Sequence, residues 1–305
     1  MGITDICGAE MTQVLCIGSV LWDVIGRTSS HMQVGSDVPG RITRLPGGVA
    51  MNIAMTLVRF GMQPVLLSAV GQDEAGTELI SYARNMGLDT SCVYRSPDLP
   101  TDVYMAVEGA NGLIAAIADA HSLEAAGDKI LRSLGDGSLG AADAPYAGCI
   151  ALDGNLTEQL LAQIARDPLF SCADLRVAPA SPGKARRLRP LFAHPNATFY
   201  VNLEEAGLLA ETQFENSSDA AQKLCDMGAP RAMVTDGARS ASFANRSGVI
   251  CQAPPEVMVT RVTGAGDTFM AAHIAAELKG ANPEDALSDA INAAAHYISG
   301  ETPYD

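Results

Sequence analysis

The pentapeptide Thr263-Gly-Ala-Gly-Asp267 lies between a β-leaning run, residues 257–260, and an Ala-rich apolar stretch that reads as a helix. Small residues ahead of a helix bring its first backbone N–H groups, unobstructed by side chains, to one point. Those groups lack intrahelical partners, and the helix dipole adds roughly half a positive charge there, so the point attracts anions. A carboxylate at Asp267, on the same turn, can act on whatever sits beside the anion. The residue types point to phosphate chemistry with a built-in base. The competing reading makes Asp267 a helix cap. It leaves Gly264, Ala265 and Gly266 as a tight contact between helix and sheet.

Elements that could position such a site follow from the apolar pattern. Residues 14–20 form a short apolar run ending in Gly and Ser, as a buried parallel strand should. Further strands are expected at 64–70, 148–152, 198–201 and 231–235. Helical spacing marks 49–60, closed by Gly61, and 74–86, closed by Gly87. It recurs at 156–166, 220–227, 266–278 and 283–299. Strands alternating with helices imply a mostly parallel sheet covered on both faces. Two segments break the alternation, about 25–45 and about 102–118. The second reads as a hairpin around Gly109-Ala-Asn-Gly112. Together they are expected to form a small antiparallel flap, a lid that would exclude water from a phosphate site. Residues 127–145, rich in Gly, Asp and Ala, read as a surface connection.

Composition narrows the partners. The 305 residues fit a single domain, 1–305, with a small appendage, and 48% hydrophobic residues allow a substantial core. A formal charge of −15 argues against a nucleic-acid backbone or an anionic membrane as partner. It leaves a small phosphate ligand open, because local N–H groups bind those. No apolar run approaches the ~18 residues of a membrane span. The first residues lack the basic start and apolar stretch of a signal peptide. Seven cysteines without a CxxC pair suggest reduced thiols and a cytoplasmic location. The histidines show no metal-ligand spacing, and His121, His273 and His296 read as surface or packing residues.

These residues bring a resemblance into view. Pro46-Gly-Gly-Val-Ala-Met-Asn52 is similar to the Gly-Gly substrate motif of the ribokinase-like (PfkB) carbohydrate and nucleoside kinases. Ser68-Ala-Val-Gly-Gln-Asp73 and Gly76 follow it, as they do in that family. Thr263-Gly-Ala-Gly-Asp267 matches its catalytic signature, with Asn202-Leu-Glu-Glu205 and Thr235-Asp-Gly237 between the two. The resemblance runs nearly end to end. It implies an α/β fold, a ribokinase-like three-layer sandwich with a central mostly parallel sheet and a small β lid. Within the family the chain resembles the pseudouridine kinases, on Ala115-Ala-Ile-Ala-Asp119 with Ser122 and on Pro179-Ala-Ser181 with Lys184.

The resemblance implies roles. Asp267 would take the proton from an acceptor hydroxyl, and Gly264, Ala265 and Gly266 would form the anion hole for the transferring phosphoryl group. Asp23, after the first strand, can accept two hydrogen bonds from the vicinal diol of a ribose. Gly47 and Gly48 would let backbone approach the sugar, and Asn52 could both donate and accept. Their bland counterparts are a loop carboxylate for Asp23 and a helix cap for Asn52. Asn202 and Glu205 would position phosphate and, through Glu205, indirectly the metal; otherwise they are polar residues at a helix start. Thr235 and Gly237 would contact the nucleotide phosphates, and Asn292 would lie by the adenine.

Three departures from the family pattern bear on this. Tyr200-Val201 stands where many relatives have Lys-Pro, and Ala178 where the pseudouridine kinases have Asp. Arg261 replaces an acidic residue that some relatives link to a monovalent-cation site. A guanidinium cannot ligate a cation, so Arg261 speaks against potassium activation. Lys184 could reach a phosphate or a base carbonyl, but it sits in a basic run with Arg186, Arg187 and Arg189 and reads rather as a solvated side chain.

The expected activity is ATP- and Mg2+-dependent phosphorylation of a primary hydroxyl on a ribose-type small molecule, with pseudouridine favoured. A kinase for another sugar or an ordinary nucleoside is the first rival. A non-catalytic sugar- or nucleotide-binding regulator is the second. Exposed lid strands would also let two copies pair edge to edge as a homodimer.

Overall fold

The computed structural model of the protein describes residues 12–33, 35–261 and 263–300. The N-terminal half runs β1 (Gln13–Ile17), β2 (Leu21–Arg27), β3 (Arg41–Gly47), α1 (Val49–Arg59), β4 (Gln63–Leu67), β5 (Ala69–Gly71), α2 (Glu74–Asn85), β6 (Tyr94–Ser96), β7 (Val103–Gly109), β8 (Gly112–Asp119) and α3 (His121–Ala126). After it come β9 (Cys149–Asp153), α4 (Glu158–Ile164), β10 (Asp174–Ala178), β11 (Ala197–Asn202), α5 (Leu203–Ala210) and α6 (Ser217–Asp226). The chain continues through β12 (Arg231–Asp236), β13 (Arg239–Asn245), β14 (Gly248–Gln252), α7 (Ala265–Leu278) and α8 (Pro283–Ser299).

The main sheet has the order β14-β13-β12-β11-β10-β9-β1-β4. From β12 to β4 every pair is parallel, and β13 and β14 add an antiparallel edge. Both faces are buried, which is why the strands are continuous apolar runs. Leu15 and Ile17 of β1 face one core with α4, α5 and α6. Val14 and Cys16 face the other with α1, α2, α7 and α8. The result is the expected three-layer sandwich. Among the described residues no helix is long and apolar enough to cross a membrane.

The two segments that break the alternation meet in a separate four-stranded sheet of order β3-β2-β7-β8. Its outer pairs are antiparallel, as expected of the hairpin, but β2 and β7 run parallel. Both strands leave the main body from the same side, with Trp22 opposite Val103, so the expected all-antiparallel flap is a mixed sheet. β3 returns the chain to Gly47 and directly into α1. Ile42, Leu45, Met105, Leu113 and Ile117 of this sheet are exposed.

The surface connection expected at 127–145 is only partly that. Residues Gly127–Leu134 form a 3-10 helix whose Ile130, Leu131 and Leu134 are buried in the first core. Gly, Asp and Ala are common across 127–145, but three apolar side chains decide where this helix packs.

Candidate active site

In a parallel sheet all carboxyl ends lie on one edge, where side chains from consecutive strand ends converge. Ser19 follows β1, Asp153 ends β9, Ala178 ends β10, Asn202 ends β11, and Thr235 lies at the end of β12. The N-termini of α1, α5 and α7 start from the same region: α5 follows β11 directly, Ala50 of α1 bonds Asp153 at the end of β9, and the first turn of α7 shares a cavity with Asn202. The edge therefore collects polar side chains and unpaired helix N–H groups together.

α7 begins at Gly264, which adopts φ 89° and gives the helix no side-chain cap. Asp267 is thus not the cap of its own helix. Its Oδ2 instead accepts a hydrogen bond from Asn52 Nδ2, 2.9 Å away across 215 positions of sequence. Asn52 is not a cap either, since the side chain is committed to Asp267. Burial pushes the Asp267 carboxyl up to about 7; the Asn52 bond opposes the rise, and the charges of Asp153, Asp23 and Glu205 add to it. Packing accounts for Gly264, where a Cβ would meet the Tyr297 hydroxyl at 2.6 Å. It does not account for Gly266, where a Cβ would meet no protein atom within 4 Å. The space over Gly266 is open to a ligand.

Beside the corner between β3 and α1, Asp23 lies half-buried on β2, and burial raises its carboxyl to about 6 with no hydrogen bond offsetting it. Gly47, opposite Leu21, passes so close that a Cβ there would stand 2.1 Å from Asp23 Oδ2. Gly48 turns at φ 94°, and a Cβ there would meet Ser19 O at 2.4 Å. Glycine at 47 and 48 therefore lets the β3–α1 corner close onto β1 and β2.

The same corner holds a network that sequence reasoning did not find. Asp153 is fully buried and accepts from Ser19 N (2.7 Å), Ser19 Oγ (2.8 Å), Ala50 N (3.2 Å) and Asn155 N (2.7 Å). Ser19 Oγ in turn accepts from Val49 N (2.9 Å) and Asn155 Nδ2 (2.8 Å). Ser19 and Asp153 thus cap α1 from outside, replacing the side chain that Gly48 lacks, with the carboxylate at the positive end of the helix dipole. Lys184 Nζ donates to Asn155 Oδ1. It is half-buried, and burial lowers its pKa, so the side chain expected to be solvated is instead tied into this network. A lone Asp at a strand end carries no motif that could have flagged this.

On the other side of Asp267 a cavity of about 1160 Å3 is lined by Asn202, Glu205, Thr235, Gly237, Ala265, Gly266 and Asp267, among others. Asn202 and Glu205 form a capping box on α5: Asn202 Oδ1 accepts from Glu205 N, and Glu205 Oε2 accepts from Asn202 N, each at 2.9 Å. The capping alternative for this pair is realised, and it places both side chains in the cavity wall. Burial raises the Glu205 carboxyl to about 7. Asn292 is exposed on α8 and does not line this cavity. Tyr200, in the position noted for Lys, is buried and bonds Arg176 Nη1 and His273 Nδ1. His273 is accordingly a packing residue, and His121 pairs with Asp119 at the surface.

Three carboxyls here titrate between about 6 and 7, namely Asp23, Glu205 and Asp267. A raised carboxyl is ionised only above its pKa, so a reaction that needs Asp267 as base loses rate as pH falls through this window. We expect kcat/KM to drop below about pH 7 with a limb that belongs to the coupled cluster. A pH–rate profile checks it; a flat profile down to pH 5 contradicts it.

The model of the pfkB family carbohydrate kinases matches residues 11–303. The chain is 29% identical over 271 residues to the pseudouridine kinase of Escherichia coli K12, covering 86% of this chain and 82% of that one. It is 28% identical over 305 residues to the guanosine-inosine kinase of Exiguobacterium acetylicum, covering 95% of each. Among solved structures, a carbohydrate kinase from Agrobacterium tumefaciens superposes with a TM-score of 0.79 at 25% identity, covering 96% of this chain and 92% of that one.

Proposed function

Because the chain belongs to the pfkB family of carbohydrate kinases, we propose that it phosphorylates a primary hydroxyl of a ribose-type substrate with ATP, pseudouridine to pseudouridine 5′-phosphate being the favoured reaction. The observation that carries this reading is the Asn52–Asp267 hydrogen bond. It joins the Asp23, Gly47 and Gly48 corner to the cavity of Asn202, Thr235 and the α7 N-terminus.

In this reading Asp23 accepts hydrogen bonds from the ribose diol, and Asn52 orients Asp267. Asp267 takes the proton of the acceptor hydroxyl as its oxygen bonds to the γ-phosphorus; the bond to the bridging oxygen breaks and ADP leaves. The N–H groups of Gly264, Ala265 and Gly266 stabilise charge on the transferring group. Asn202, Thr235 and Gly237 hold the nucleotide phosphates, and Asn292 is assigned to the adenine only if the nucleotide extends toward α8.

Among the described residues no group of three or more His, Cys, Asp or Glu side chains is arranged to hold a metal ion. Mg2+ binds through one or two carboxylates plus phosphates and keeps several waters. Glu205 fits that modest demand, and the ion would neutralise phosphate charge. The mixed sheet serves as a lid over the substrate within a single domain. Its exposed apolar residues suit pairing of two copies, and the protein works in the cytoplasm without nucleic acid or membrane as partner. Arg261 argues for turnover independent of potassium.

A substrate panel with ATP tests the choice of acceptor. Pseudouridine is expected to give the highest kcat/KM, above ribose, adenosine, guanosine and inosine. The guanosine-inosine kinase, aligned over 95% of both chains, makes an ordinary nucleoside the reading to beat, and higher turnover of inosine than of pseudouridine selects it. Binding of these compounds without ADP production would select a non-catalytic binding protein.

A further inference from the structure

The N–H groups of α7 can serve a transferring phosphoryl group only if the segment ahead of them is held in place. Of that segment, Thr260, Arg261, Thr263 and Gly264 lie outside helix and strand, and the first three are exposed. It is tied instead to the last turn of α8. Thr260 N and Oγ1 both donate to Ile298 O, at 2.8 and 3.0 Å, and Arg261 N donates to the same carbonyl at 3.3 Å. Arg261 Nε donates to Tyr297 O at 2.6 Å, and its guanidinium lies 3.9 Å from the centroid of the Tyr297 ring. The Tyr297 hydroxyl closes the circuit by donating to Thr263 O at 2.9 Å. The same hydroxyl occupies the space that a Cβ on Gly264 would need.

Each partner is suited to its place. Tyr297 O and Ile298 O belong to the final turn of α8, where the dipole is negative and Tyr297 O has only the long 3.3 Å bond from Gly300 N, so a guanidinium and two N–H donors complement them. The planar guanidinium of Arg can stack on a ring while its N–H groups donate in the plane of the fork. Thr263 is the residue before Gly264, whose left-handed φ of 89° starts α7. The tyrosine hydroxyl therefore grips the chain one residue ahead of the turn that aims the N–H groups.

We propose that Arg261 and Tyr297 are positioning residues that clamp the α7 N-terminus to the end of α8 and hold the anion hole in its working geometry. The proposal rests on the reading that those N–H groups stabilise the transferring phosphoryl group. Neither side chain touches the reacting atoms; they act through Thr263 and Gly264.

The test compares Tyr297→Phe, which removes only the hydroxyl, with Arg261→Ala, Arg261→Gly and the double variant Arg261→Ala/Tyr297→Phe. Each single change is expected to lower kcat about tenfold, the scale of one lost hydrogen bond expressed in the transition state. KM for acceptor and ATP should move less than threefold. The double variant should lose little more than the worse single one, because the two residues act on one element. Added guanidinium ion should partly restore kcat in Arg261→Gly and leave Tyr297→Phe unchanged. Wild-type kcat in both single variants, or losses confined to KM, overturns the clamp. If Asp267→Asn is inactive while the clamp variants turn over normally, the clamp alone is wrong. If Asp267→Asn itself remains active, the catalytic reading beneath it is wrong.

Discussion

Asp267→Asn is expected to lower turnover about a hundred- to ten-thousand-fold, the range that a positioned general base contributes. The substitution preserves shape, and the amide oxygen can still accept from Asn52, so loss of proton acceptance is isolated from loss of geometry. Nucleotide binding should persist, because the N–H groups of α7 and the residues at the ends of β11 and β12 are untouched. Stability should move the other way. Burial raises the Asp267 carboxyl to about 7 in the folded protein, against 3.8 in the unconstrained group. The folded state therefore holds its proton more tightly than the unfolded chain does. Ionisation costs stability that grows as pH rises from about 4 to about 7. Removing the ionisable group abolishes that cost, so the variant should melt higher than the parent at pH 8 and no higher at pH 4. Thermal melts and saturating kinetics on the same preparation check both halves. Turnover within tenfold of the parent would remove Asp267 from the role of base.

This opposition of activity and stability is what a functional carboxylate in the wrong dielectric should show. The place of Asp267 on the first turn of α7 was legible for local reasons. Thr263-Gly-Ala-Gly-Asp267 is contiguous, and each residue type has a local reason: free N–H groups, room above Gly266, a carboxylate on the first turn. The Gly47–Gly48 corner and Asp23 were legible on similar grounds, since short-range turns and strand ends leave their marks within a few residues. The sandwich was legible because strands buried on both faces are short apolar runs and the helices between them keep their period.

What escaped notice was assembled from distant pieces. Ser19 and Asp153 lie 134 positions apart, and neither sits in a pattern that signals the other. Arg261 lies in the connection ahead of α7 and Tyr297 on α8, and their pairing depends on where α8 ends. The place of Lys184 depends on Asn155, 29 positions away, which a local run of basic residues does not signal. The parallel pairing of β2 with β7 is a property of where two strands leave the main body, which local alternation does not encode.

Asp153 offers the second large effect, and it separates architecture from chemistry. Asp153→Ala leaves the N–H groups of Ser19, Ala50 and Asn155 without their acceptor in a corner where the carboxylate is fully buried. Each buried unsatisfied donor costs about 1–3 kcal/mol, so together they approach the total stability of about 5–15 kcal/mol typical of a domain. The variant should unfold at much lower urea, or fail to accumulate folded. Asp153→Asn keeps the volume and one acceptor oxygen and should lose only part of this. Its value lies in the kinetics. Asp153 is among the charges that raise the Asp267 carboxyl, so neutralising it should let Asp267 ionise at lower pH. The acid limb of kcat/KM should shift down from its position in the parent, with the alkaline plateau lowered only as far as α1 and Asn52 are displaced. A urea titration of both variants and a pH–rate profile of Asp153→Asn measure the two effects. An unmoved limb in a folded Asp153→Asn protein would show that Asp153 supports the corner without acting on the base. Unchanged stability in Asp153→Ala would show the reverse, that the corner holds without it.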